Sequence, residues 1–151
     1  LIASLFDLPK YEDDPAFPDS MYAVAKLFGE DIGKLCALHD GLAVVALRIG
    51  WVQASYKGCQ ILIRPISIIQ DDPSDLKGTI SEDYMRAMNL SHRDCTEFFI
   101  RAVEVPIKTD NAIPFMLAYA CSNNTKKIWD LKETIERLGY IPQDDSSKFF
   151  D

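Results

Sequence analysis

Residues 18–50 read PDSMYAVAKLFGEDIGKLCALHDGLAVVALRIG, and this stretch decides the fold. Apolar residues stand at Met21, Val24, Ala25, Phe28, Ile32 and Leu35. Steps of three, four and seven put them on one side of an α-helix, which predicts an amphipathic helix with one buried face. Asp19 or Ser20 is placed to cap its amino terminus, and Gly41 to stop it. Leu42–Leu47, LAVVAL, follows at once as an uninterrupted apolar run closed by Arg48. Continuous runs suit parallel strands covered on both faces. Helix, glycine and buried strand make half of a βαβ unit, so an α/β fold with a parallel sheet is expected.

The pattern extends in both directions. Upstream, Pro9, Pro15 and Pro18 and the acidic group Glu12, Asp13 and Asp14 predict a loop after a short apolar start, Leu1 to Phe6. Downstream, residues 51–83 mix Gly58, Pro65, Pro73 and Gly78 with no sustained period, the composition of an insertion holding one strand at 60–64. Ser91 is placed to cap a second helix, with Asp94 in its first turn and an apolar stripe of Cys95, Phe98, Phe99, Ala102 and Val103. Pro106 ends it. Ile113–Cys121, IPFMLAYAC, reads as another buried strand. Asp130 with Glu133 matches a capping box for a short helix ending at Gly139. From Pro142 onward the chain is polar, and a loose tail is expected.

The composition narrows the function. A chain of 151 residues with 48% hydrophobic and 26% charged residues fits one globular domain or part of one. Because the first residue is Leu1, a fragment or processed chain is expected. The net charge of −7 argues against nucleic acid, whose phosphates call for clustered Lys and Arg, and against an anionic membrane surface. No apolar run reaches the ~18 residues of a membrane span. The four cysteines, Cys36, Cys59, Cys95 and Cys121, form no Cys-x-x-Cys pair, and the two histidines are far apart. No metal site is expected, and the cysteines read as free thiols of a protein in a reducing cytoplasm.

One pair on the first helix carries chemistry. Tyr22 and Lys26 are four residues apart, which places both side chains on one helix face, one turn apart. A free tyrosine titrates near about 10, so a phenolate base working near pH 7 needs a shift of about 3 units, or about 4 kcal/mol. A neighbouring ammonium favours the phenolate and supplies part of that. Taken alone, the spacing is weak evidence, and two solvated surface residues are the default reading.

The surroundings of the pair resemble a known family. The stretch Pro18 to Glu30, with Tyr22, Lys26 and the following Gly29-Glu30, is similar to the active-site helix of extended short-chain dehydrogenases/reductases, the NAD-dependent epimerase/dehydratase family. Leu47-Arg48-Ile49-Gly50 resembles the strand end that follows in that family. Leu90-Ser91-His92-Arg93-Asp94 resembles its next helix start. Ser122-Asn123-Asn124-Thr125, Trp129-Asp130 and Leu138-Gly139-Tyr140-Ile141-Pro142-Gln143-Asp144 resemble the last part of uronate dehydrogenase-like members. The matches occur in family order and cover most of the chain.

The resemblance implies the second half of a Rossmann-type doubly wound parallel sheet, with residues 1–151 as the carboxyl-terminal part of one domain whose cofactor-binding part is absent. It implies Tyr22 as general base and Lys26 as its partner, both contacting the nicotinamide cofactor, NAD or NADP. It implies Arg86 as the contact to a substrate carboxylate and a sugar, foremost a uronic acid, as substrate. It also implies a homodimer formed through the Tyr22–Lys26 helix. His92 and Asp94 read as helix-start structure. A nucleotide-sugar epimerase or dehydratase, and a truncated binding module without catalysis, remain as alternatives. The family's Gly-rich pyrophosphate turn has no counterpart here: Gly29, Gly33, Gly41, Gly50, Gly58, Gly78 and Gly139 include no Gly-x-Gly or Gly-x-x-Gly spacing.

Overall fold

A computed structural model describes residues 16, 18, 20–52, 82–107 and 113–148. Helix α1 spans Met21–Asp40. Ser20 is extended, and its hydroxyl accepts the Ala23 N–H at 3.2 Å, satisfying one of the donors a helix start leaves open. At the other end Gly41 takes a left-handed conformation, φ 64°, that a residue with a Cβ adopts only under strain. Strand β1, Val44–Ile49, begins two residues later than the apolar run and continues through Arg48 and Ile49. Arg48 is tolerated in the strand because its charge is matched by Glu30 of α1.

Two short elements flank the next helix. β2, Trp51–Val52, opens the 51–83 segment and α2, Glu82–Ala87, closes it. The rest of that segment, with the strand expected at 60–64, lies outside the described residues, as does the loop expected before residue 16. β3, Asn89–Leu90, leads into α3, His92–Glu104, capped by the Ser91 hydroxyl on the Asp94 N–H at 3.0 Å. β4, Phe115–Ala120, is followed by α4, Lys132–Leu138, and a 3-10 turn at Ser146–Lys148.

β1 and β4 pair in parallel, in register from Val44↔Phe115 to Ile49↔Ala120, with α3 in the crossover. β2 and β3 form a second parallel pair, Trp51↔Asn89 and Val52↔Leu90. Gly50 joins the two pairs: its N–H bonds to Ala120 O at 2.8 Å, and the next N–H, of Trp51, bonds to Met88 O at 2.6 Å. A Cβ at Gly50 would sit 2.4 Å from Met88 O, so only glycine permits this approach.

Alternate residues of the main pair serve opposite faces. On one face Gly33 of α1 comes close enough that a Cβ there would lie 3.1 Å from Val44. On the other, Phe98 of α3 packs in a core with Met116, Ala118, Ala120, Leu90, Leu138 and Tyr140, against Val45 and Leu47. Helices on both faces of a parallel sheet give the α/β, Rossmann-type architecture expected. α4 covers the outer edge of β4, where the Tyr119 N–H donates to Thr134 Oγ1 at 3.1 Å.

Four local expectations are corrected. The apolar face predicted to be buried on α1 is exposed, with Met21, Val24, Phe28, Ile32 and Leu35 all between 43% and 83% accessible, because the helix turns Ala23, Leu27, Glu30, Gly33 and Ala37 toward β1 instead. Phe99 and Val103 point outward, 50% and 87% exposed, because only the half of the α3 stripe centred on Phe98 meets the sheet. Asp130 and Glu133 do not form a capping box. Asp130 accepts the Lys132 N–H two residues on, while Glu133 pairs with Arg137 one turn along the helix at 2.8 Å. The segment from Pro142 is not a loose tail. Pro142 and Ser146 are buried, and the Gln143 and Asp144 N–H groups bond to Asp94 at 2.9 and 3.1 Å.

Candidate active site

Tyr22, Lys26 and Glu30 follow one another at single-turn steps along α1, and all three line one open cleft of about 860 Å³ between the helix and β1. Lys26 Nζ stands 5.1 Å from the centre of the Tyr22 ring, so the two residues paired by spacing do meet. Tyr22 is 73% exposed. Among the described residues Lys26 makes no ion pair, although Glu30 is one turn away on the same stripe.

Glu30 is held from the sheet instead. Arg48 reaches from β1 and grips both of its carboxylate oxygens, Nε to Oε1 at 2.8 Å and Nη2 to Oε2 at 2.9 Å. The third nitrogen, Nη1, donates to the Tyr119 hydroxyl at 3.1 Å. The Tyr119 ring is in turn stacked on Trp129, centroids 4.6 Å apart and planes 14° apart. The Glu30 hydrogen bonds hold the Arg48 guanidinium well above its ordinary range, outweighing the partial burial that acts the other way. This fork-to-carboxylate geometry is the strong form of an ion pair. Sequence reading noted Arg48 and Glu30 only as parts of motifs. Glu30 continues the Tyr22–Lys26 step of four, a signal that could have brought it in.

The far wall of the cleft is formed by Tyr84, Met88, Tyr119 and Trp129. Arg86 sits in the last turn of α2 between two of these residues, half-buried. It is not among the residues lining the cleft. The structure thus brings Tyr22 and Lys26 together and leaves Arg86 apart from them.

The remaining motif residues build the frame. Asp94 is fully buried and accepts from the Ser122 hydroxyl at 2.6 Å, the Tyr140 hydroxyl at 2.6 Å and the two tail N–H groups. Burial alone would raise its carboxyl, but these donors, the Gln143 N–H foremost, together hold it below the usual carboxylate value. Asn124 binds Ala87 O, Asn89 O and the Ser146 N–H, tying β3 to the tail. Burial pushes the Cys121 thiol up to about 12, which leaves it an inert core group. Cys36, Cys95 and Cys121 are free thiols, and Cys59 lies outside the described residues. Among the described residues no cluster of His, Cys, Asp or Glu could hold a metal ion, and no helix is long and apolar enough to cross a membrane.

No protein-family model matches the chain. The chain is 34% identical to an L-arabinose 1-dehydrogenase (NAD(P)(+)) of Haloferax volcanii, a match over 89% of this chain and 46% of that protein. It is 26% identical to a uronate dehydrogenase of Pseudomonas putida, over 89% of this chain and 39% of that protein. Its fold superposes on the crystal structure of a glucuronic acid dehydrogenase from Chromohalobacter salexigens with a TM-score of 0.65 and 24% identity, covering 93% of this chain and 41% of that one. The chain thus spans less than half the length of these relatives. The Tyr22–Lys26 helix, the strand ending at Gly50 and the parallel pairing agree with these similarities: over most of its length the chain is similar to sugar dehydrogenases, and its Rossmann-type fold is that of the glucuronic acid dehydrogenase.

Proposed function

We propose that this chain carries the catalytic Tyr–Lys pair of an enzyme that oxidises a uronic acid or related sugar at its anomeric carbon with NAD or NADP. The observation that carries the reading is the meeting of Tyr22 and Lys26 on the wall of one cleft. The volume of about 860 Å³ is in the range of small-ligand sites. A phenol and an ammonium open to it fit the hydroxyl-rich ribose of a nicotinamide nucleoside. Lys26 would donate hydrogen bonds to that ribose, and its charge would favour the phenolate form of a tyrosine beside it. Tyr22 would take the proton of the sugar's anomeric hydroxyl as its C–H bond breaks, leaving a carbonyl at that carbon. The cofactor, when bound, supplies the acceptor for the hydride.

Similarity to enzymes named for arabinose and uronate supports this substrate class. The resemblance extends to Arg86 as the contact to the uronate carboxylate. Since these 151 residues contain no Gly-rich turn, we expect turnover only where a pyrophosphate-binding unit is joined to them. Met21, Val24, Phe28 and Leu35 remain exposed on α1, which supports pairing of two copies through this helix. The free thiols fit a cytoplasmic location.

The test is Tyr22→Phe in the protein as its gene encodes it. Loss of the hydroxyl alone should lower sugar-dependent reduction of NAD about 10²–10⁴-fold, the usual share of general acid–base catalysis. Turnover near that of the unaltered protein would remove Tyr22 from the mechanism.

A further inference from the structure

We propose that Arg48 is a positioning residue that keeps Glu30 away from Lys26, leaving the ammonium to serve Tyr22; this rests on the catalytic reading of the Tyr22–Lys26 pair. A lysine and a glutamate four apart on a helix attract each other. Lys26 and Glu30 have that spacing and open to the same cleft. A Lys26–Glu30 pair would neutralise the charge that favours phenolate and draw the ammonium one turn away from the phenol.

The structure resolves this competition in favour of Arg48. A planar guanidinium occupies both carboxylate oxygens at once, which an ammonium, a point charge, cannot match. The winning partner is also fixed in place. Arg48 rises from β1, bonds to the Tyr119 hydroxyl, and lies 5.6 Å from the centre of the Tyr119 ring that Trp129 stacks. The titratable and charged side chains facing the cleft among the described residues are Tyr22, Lys26 and Glu30 from α1, Arg48 from β1, Tyr84 from α2 and Tyr119 from β4. Glu30 is the single carboxylate in that set, so one guanidinium suffices to take the negative charge out of competition.

A plain structural tether between α1 and β1 would use the same contacts, and the two roles differ in a double variant. Arg48→Met frees Glu30 and should lower kcat/KM about tenfold. It should also move the rising limb of the pH–rate profile up by about one unit, because the base loses its cation. Adding Glu30→Gln removes the competitor, and the double variant should return to within about threefold of the unaltered protein with its limb restored. A tether predicts the reverse: the double variant is no better than Arg48→Met, and the limb does not move. That result overturns the proposal.

Tyr22→Phe in the same assay separates the two readings. If it spares turnover, the catalytic assignment fails, and this inference with it. If it abolishes turnover while the double variant shows no recovery, only the role of Arg48 fails. A readout independent of turnover is the crystal structure of Arg48→Met, where Lys26 Nζ should lie within ion-pair distance of Glu30. Lys26 remaining over the Tyr22 ring would overturn the proposal. Should Arg48→Met not fold, Arg48→Lys keeps the charge but contacts one oxygen at a time, and the same measurements apply with a smaller loss.

Discussion

The Tyr140 hydroxyl donates to Asp94 Oδ1 at 2.6 Å across 46 residues of sequence, and the two are buried together. The bond closes the last part of the chain over the start of α3. The Tyr140 ring meets Phe98 edge-on, centroids 5.3 Å apart, so the ring and the hydroxyl have separate tasks. Tyr140→Phe keeps the ring contact and removes one donor from a buried carboxylate. Urea unfolding should show a loss of about 2 kcal/mol, the scale of a hydrogen bond to a charged group. An unchanged stability would show that the bond contributes nothing net.

Asp94 also sets an acid limit. Its carboxyl is held below the ordinary value in the folded chain, so the unfolded chain binds the proton first as pH falls. Its contribution to stability is complete above the ordinary aspartate value, about 3.9, and is lost as pH falls below that through the folded value. Unfolding free energy measured from pH 5 to pH 2 should fall with acid. Asp94→Asn should be less stable at neutral pH and show a shallower slope over that window. An equal slope in both proteins would place the acid sensitivity elsewhere.

Gly50 is the tightest point of the backbone frame. A methyl group there meets Met88 O at 2.4 Å and Ala120 O at 3.3 Å, both of them backbone atoms that cannot rotate away. Gly50→Ala must push β3 or β4 aside. The cost should be about 3 kcal/mol, at the upper end of overpacking, and should appear as a lower urea midpoint. A midpoint within error of the unaltered protein would mean the junction opens freely.

Arg86 is tested by substrate charge. If its fork holds a uronate carboxylate, Arg86→Ala should cost about 2–3 kcal/mol in kcat/KM for the uronate and far less for the matching neutral aldose. Arg86 is half-buried on α2 and does not line the cleft, whereas Tyr84 and Met88 beside it in sequence do. Equal losses on both sugars would make Arg86 a framework residue.

The sequence by itself determined those features whose physics is local. Ser20 and Gly41 bound α1, Ser91 starts α3, and Gly139 ends α4, because capping and left-handed termination involve neighbours three or four residues away. The two apolar runs became the paired parallel strands, β4 largely buried and β1 half-buried along the cleft, and the step of four placed Tyr22 beside Lys26. Tertiary structure decided whatever depends on which partner arrives. Arg48 finds Glu30 at a separation of 18 and Tyr119 at 71, and neither pairing is encoded in a period. The polar tail is ordered because Asp94 offers its N–H groups an acceptor that no neighbour along the chain provides. Phe99 and Val103 share the helical stripe of Phe98, yet only the packing of α3 on the sheet selects which apolar side chains are buried. Local hydrogen bonding and periodicity are written in short windows of sequence, whereas the matching of charges and donors between distant segments exists only after the chain has folded.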